Sequence, residues 1–345
     1  MTTIAEVEQE RGTWLFVAPI QNLIIRKDVN FEYRVDKVCF VDAKHFPLRR
    51  KRFGVPYRIG ELKKKHHFIG DFFNGENTFA TMRLTGNGDK LKDKFLKTVR
   101  DELAILALSQ LGYSQRKNNS NPILAYNIKP SLLSYLLINI SPKKWALRNE
   151  SLDKVNKLIL EFRWNDFQNK FFFKDLIKII RRETCVKTSW IKTIKNAAIL
   201  AGQSQCSSDL PKCFLWNMIA IEMLLTEQGD NYTEALPERA EAFIGWTTKW
   251  KLSDYDNKIK QVYKKRCGLV HAGKLDNIKE EDLLFTDEIL INILSNIIRH
   301  PEIFTNKEKL INFSEKIKAE HLLDIKPRVT PKSFKFINTN YEEGL

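Results

Sequence analysis

Tyr263-Lys-Lys-Arg266-Cys267-Gly268-Leu-Val-His271-Ala-Gly273 is the stretch on which the reading of this 345-residue chain turns. Taken as the end of a helix that begins near Ser253, it sets Ile259, Val262, Leu269 and Val270 on one apolar stripe, with Arg266 in its middle. Arginine is almost never fully buried without a paired charge, so this guanidinium requires a partner carboxylate or a ligand anion. His271 follows five residues later. On an unbroken helix that spacing leaves the two side chains about 140° apart around the axis and about 7.5 Å apart along it. They converge only if the helix stops, and Gly268 and Gly273 bracket the histidine as terminators. The expectation is a helix that unwinds at His271 while Arg266 reaches up to the imidazole. The competing reading is an ion-paired core arginine and a histidine favoured by the helix dipole.

Outward from this stretch the chain reads as helical. Leu210, Phe214, Met218, Ile221 and Leu225 recur at helical steps, and Glu222 borders their stripe as the expected partner of Arg266. Phe171 to Arg182 and Trp190 to Gln203 read as helices, and Pro237 as the opening of another through Arg239, Ala240, Phe243 and Ile244. Ser253-Asp-Tyr-Asp256 is placed to cap the helix that ends in the arginine and histidine. Leu283 to Ile298 is apolar enough to close a bundle.

The first part of the chain has a different grain. Thr13 to Asn22 and Phe31 to Val41 are short and rich in aromatic and β-branched residues, the mark of strands; Thr78 to Leu84 reads the same way. After the turn Gly86-Asn87-Gly88, Asp89 is the expected N-cap of a long helix carrying Leu91, Phe95, Val99, Leu103 and Leu106. Leu132 to Ile140 is a short apolar run ended by Ser141-Pro142. The fold class expected is α+β: a mixed N-terminal domain over 1–150, an all-α bundle over 151–326, and a polar tail over 327–345.

Between Lys44 and His67 nine lysines and arginines, among them Arg49, Arg50, Lys51 and Arg52, face the single acid Glu61. Phe46, Phe53, Tyr57 and Phe68 are interleaved with them. Such a segment suits phosphates with rings stacked on bases, and equally suits a solvated edge strand. The formal charge of +15 agrees with a polyanionic partner. The five cysteines are odd in number, widely spaced and without a Cys-x-x-Cys pair, which argues against a disulfide framework and for reduced thiols. With no expected signal peptide and no apolar run near about 18 residues, a cytoplasmic chain away from membranes is expected.

His45, His66 and His67 lack metal-ligand spacing, so no metal and no cofactor is expected. Cys267 stands four residues before His271, but no third residue is evident to orient the pair, and a structural thiol is the preferred reading.

The blocks Trp216-Asn-Met-Ile-Ala-Ile-Glu222-Met-Leu-Leu, Glu238-Arg239-Ala-Glu-Ala-Phe and Val262-Tyr263-Lys-Lys-Arg266-Cys267-Gly-Leu-Val-His271-Ala-Gly together resemble the Apea-like HEPN domain, whose signature is Arg-x4-His at a helix end. The likeness spans Trp190 to His300, and none covers Met1 to Ile140. It places Arg266 and His271 on the motif arginine and histidine and Glu222 on the acidic position. Cys267 departs from the polar residue usual there. The resemblance implies a metal-independent endoribonuclease acting on RNA as a homodimer, often in toxin or anti-phage systems with an antitoxin or phage-derived trigger; other members only bind nucleic acid. The chemistry of the residues agrees. Histidine titrates near neutral pH, and the planar arginine fork fits two phosphate oxygens. Glu222 would orient Arg266, Tyr263 would support it, and Lys264, Lys265 and Lys274 would raise the local positive potential.

Overall fold

Arg11–Gln21 (β1) is the spine of the N-terminal sheet, as its run of aromatic and branched residues requires. It pairs antiparallel with Thr78–Asn87 (β5), from Arg11 opposite Asn87 to Ile20 opposite Thr78. The Thr13 and Thr85 hydroxyls bond across the pair at 3.1 Å, and Trp14 Nε1 donates to the Gly86 carbonyl at 3.0 Å. The computed structural model describes residues 11–55, 78–113, 122–124, 132–139, 144–151, 157–170, 172–244, 255–275, 277–323 and 325. The basic residues from 56 to 67, the capping sequence at Ser253 and the 327–345 tail lie outside them.

The chain is α+β. Its sheet is completed by Glu32–Arg34 (β3), Cys39–Asp42 (β4) and Ile123–Leu124 (β6), in the order β3-β4-β5-β1-β6. The expected strand from Phe31 to Val41 is therefore two, folded into a tight hairpin closed by Val35 N–H to the Val38 carbonyl. Leu23–Ile25 (β2) pairs parallel with Leu158–Leu160 (β9), and Leu132–Asn139 (β7) forms a hairpin with Lys144–Ser151 (β8). Under the sheet, Cys39, Val41, Ala43 and Phe79 pack against Phe46, from the short helix Phe46–Arg49 (α1), and Phe53. The Phe46 and Phe53 rings stack at 5.5 Å. Both are core residues, so neither is the base-stacking platform expected of the basic segment.

By contacts the chain divides into two compact units, Met1–Arg100 with Asn118–Glu161, and Asp101–Lys117 with Phe162–Leu345. The division runs through the long helix Gly88–Ala107 (α2), whose last part belongs with the helical unit. The reason is visible at Gly202. A Cβ there would stand 1.8 Å from the carbonyl oxygen of Ala104, so the two backbones touch where no side chain intervenes.

After Gln110–Tyr113 (α3) the helical unit runs Phe162–Lys170 (α4), Phe173–Ile180 (α5), Thr188–Gln205 (α6), Leu210–Leu225 (α7), Tyr232–Ile244 (α8), Tyr255–Ala272 (α9), Glu280–Arg299 (α10) and Lys307–Leu322 (α11). Helix α7 starts where its sequence requires: Asp209 accepts the Lys212 N–H, and Pro211 sits in the first turn. Pro237 lies inside α8 rather than at its start. Helix α10 is buried on every side from Ile289 to Ile298, which makes it the centre of the unit and not its lid. Its Asp287 accepts from Asn217 of α7 at 2.8 Å and Gln205 of α6 at 3.0 Å, tying three helices through one buried carboxylate. Helix α11 had no counterpart in the sequence reading. Leu310, Ile311, Phe313 and Ile317 are its buried face. Among the described residues no helix is long and apolar enough to cross a membrane.

Candidate functional site

Arg266 and Glu222 meet as the sequence proposed. Helix α9 packs against α7 and α8, and its Ile259 and Val262 are buried. One helical turn further on, Arg266 Nη2 donates to Glu222 Oε2 at 2.9 Å, and Nε stands 2.9 Å from Oε1. The second contact is an ion pair without hydrogen-bond alignment, so the fork is closed on one tooth only. Burial pushes the Glu222 carboxyl above its ordinary range, and the Arg266 charge and hydrogen bond pull against that rise.

Tyr263 lies beside the pair. Burial, the hydrogen bond with Cys267 and the nearby Glu222 carboxylate push its hydroxyl up to about 12, so it stays protonated at any working pH. It is close enough to feel both charges of the pair and hydrogen-bonds Cys267 one turn on.

His271 stands elsewhere. Helix α9 continues through Gly268 to Ala272, because one glycine inside a helix costs only about 1 kcal/mol. Gly273 does terminate it, with φ of +60° and the N–H groups of Gly273 and Lys274 bonded back to the carbonyls of Leu269 and Gly268. The expected unwinding around His271 is thus absent, and the imidazole remains about 140° around the axis from Arg266. Leu269 is half-buried and Val270 47% exposed, so the apolar stripe ends at Arg266. On the outer face Lys264 and His271, seven residues apart, are aligned, and the stem of Lys274 lies over Gly268 between them. These three are exposed and have no ion-pair partner among the described residues.

Comparison with family models, curated proteins and solved structures gives no match.

Lys265 does not contribute to that outer face. Its ammonium sits 2.7 Å from both carboxylate oxygens of Asp282, which also accepts the Lys279 N–H at the start of α10. The lysine closes a helix cap and is neutralised there. Arg239 has a similar part: its guanidinium grips both oxygens of Asp230, at 2.6 and 3.1 Å, and donates to the Leu225 carbonyl at 2.8 Å, fixing the link from α7 to α8. Lys307, missed in the sequence, donates to the carbonyls of Met223 and Thr226 at the end of α7. Burial lowers its affinity for its proton. With Glu222, Glu227, Gln228 and Tyr232 it borders an open cleft of about 540 Å³. Its signal was faint, a lysine with no motif around it.

The four basic residues of the N-terminal segment are not equivalent. Glu32 of β3 binds Arg49 and Arg52, each at 2.7 Å, and Asn30 also accepts from Arg49 at 3.0 Å. Arg49 is thereby a structural tie. Arg50 has its Nε buried, and Lys51 is exposed. The acid that balances this segment comes from outside it, which a count within the segment could not show. His45 bonds Asp42 at 2.7 Å and stacks on Phe31; among the described residues no group of three His, Cys, Asp or Glu side chains is placed to hold a metal ion. None of the five cysteines is in a disulfide: Cys39 and Cys213 are buried, Cys185 is exposed.

Proposed function

We propose that the chain is an endoribonuclease of HEPN type that cuts RNA without a metal ion, in the cytoplasm, in a toxin or anti-phage role controlled by an antitoxin or a phage-derived trigger. The observation that carries this reading is the end of α9: an exposed imidazole aligned with two exposed lysines, on the helix whose inner face holds the Arg266 and Glu222 pair. In the step proposed, the RNA 2′-hydroxyl attacks the neighbouring phosphorus and gives its proton to an imidazole. The bond to the 5′-oxygen breaks, and a second imidazole, protonated, returns a proton to that oxygen. A guanidinium faces the non-bridging oxygens as their charge grows. The products are a 2′,3′-cyclic phosphate and a 5′-hydroxyl.

A single chain supplies one imidazole, on the side of α9 away from its arginine. Two copies meeting at this helix end would bring two imidazoles to one phosphate, and the exposed Val270 and Leu275 are the apolar groups that such a contact covers. The homodimer is therefore part of the proposal. A specific observation favours a second reading, a non-catalytic RNA-binding or regulatory module: Arg266 is already engaged by Glu222.

The test is incubation of the purified chain with RNA and analysis of the new ends. The expected result is cyclic-phosphate ends in EDTA, lost in His271→Ala. Activity restored only by magnesium, or cleavage at a 2′-deoxy position, would overturn the mechanism. RNA retained but uncut favours the second reading.

A further inference from the structure

The N-terminal unit carries a second candidate site. A cavity of about 630 Å³ opens on the sheet between the β3–β4 hairpin and α2. Arg34, Lys37, Arg52, Arg83 and Lys94 line it against one acid, Asp36, a net of +4. They come from the hairpin, the segment after α1, β5 and α2, so the charges converge on one hollow instead of following a track. Its floor is apolar: Cys39, Phe53, Met82 and Leu84 are buried there, beside Leu15. Burial pushes the Cys39 thiol up, which keeps the floor uncharged.

Two of the cations are held in place. Arg83 Nη2 donates to the Arg52 carbonyl at 3.1 Å, lying against Gly54, where an added Cβ would stand 2.8 Å from the same nitrogen. Gly54 has φ of +74°, so both its conformation and its missing side chain serve this wall. Arg52 is anchored by Glu32, which does not line the cavity. Lys94 is exposed, with no ion-pair partner among the described residues.

We infer that this cavity binds a nucleoside polyphosphate, its phosphates among the five cations and its base against the apolar lining beside Leu15. The volume is within the usual range of about 300–1,000 Å³ for small-molecule sites. A bare phosphate leaves the apolar floor unused. A running RNA strand needs cations that continue beyond one hollow. The inference is independent of the proposed ribonuclease site.

The experiment is calorimetric titration of the full chain, at about 150 mM salt so that surface charge is screened beyond about 8 Å, with ATP, GTP, tripolyphosphate, adenosine and a single-stranded RNA hexamer. ATP or GTP is expected to bind more tightly than tripolyphosphate and adenosine. Lys94→Glu is expected to weaken that binding at least about tenfold, the equivalent of about 1.4 kcal/mol. Lys94 is an exposed helical position, so the variant should melt like the parent; Arg83→Gln serves as the second variant. The inference is overturned by no binding of ATP or GTP at millimolar concentration, by equal binding of tripolyphosphate, by both variants binding like the parent, or by an RNA hexamer that binds more tightly than either nucleotide.

Discussion

Glu222 is the residue through which the candidate site bears on stability. A carboxyl whose folded-state affinity for its proton is raised favours the folded chain at low pH, and that contribution is lost as pH rises through the folded value. At neutral pH the ionised group is tolerated because Arg266 faces it. Arg266→Ala removes the counter-charge and should cost about 3 kcal/mol at pH 7.5, as for other broken buried pairs. The loss should shrink at pH 5.5, because acid moves the raised Glu222 carboxyl toward its neutral form, and in Glu222→Gln/Arg266→Met. Urea unfolding at the two pH values checks this; equal losses at both would refute it. Because this variant disturbs the fold, Arg266→Lys, which keeps the charge and loses the fork, is the better probe of cleavage. Asp230 behaves in the opposite sense. The Arg239 hydrogen bond holds it below the ordinary carboxylate range, so its contribution is present above about pH 4 and vanishes as pH falls through the depressed value. Asp230→Asn should lose about 2 kcal/mol at pH 7, and its melting temperature should fall less steeply than the parent's below pH 4. The pairing of Glu222 with Arg266 was legible in the sequence because an arginine on a buried stripe must find a carboxylate. The ties of Arg49 to Glu32 and Lys265 to Asp282 were not, since each partner lies on another element.

Two glycines show how differently the same residue can matter within a helix and at its end. Gly202 permits α6 to touch the backbone of α2, and Gly202→Ala should destabilise the helical unit by more than the usual overpacking range of about 1–3 kcal/mol, because the obstacle is a carbonyl and not a side chain that can turn aside. At Gly273 an added Cβ meets nothing within 4 Å. There only the left-handed backbone is strained, so Gly273→Ala should cost about 1–2 kcal/mol. Thermal unfolding of the two variants side by side decides the comparison, and similar losses would contradict it. The elements read correctly from sequence were those with a strong period, α7 above all. Helix α11 is faint in the sequence because its few apolar positions are separated by lysines and glutamates, although Leu310, Ile311, Ser314 and Ile317 keep helical spacing. Strands β6 and β9, two and three residues long, carry too little pattern to be seen. Gly268 misled for a physical reason: a glycine allows a helix to stop without compelling it to, and here the packing of α9 continues the helix past it.

For the molecule as a whole, the net charge of +15 resists self-association at low salt, and a homodimer must overcome it with apolar contact. The proposed meeting of two α9 ends therefore predicts sedimentation that shifts toward dimer as salt rises, and specific activity that falls on dilution. Val270→Asp should weaken both while leaving the melting temperature unchanged, since the side chain is already 47% exposed. A monomer at every salt and concentration, equally active on dilution, would remove the shared site. The encasement of α10 has a further consequence, for timescale. Amide protons along Ile289–Ile298 can meet solvent only when the surrounding helices part, so their exchange should report global opening. The last turn of α9 has no such cover, and its amides should exchange through local fraying, orders of magnitude sooner. A binding partner that clamped that turn would slow the fast class of protons and leave the slow class where it was, giving an observer who knew nothing of the partner its position on the chain.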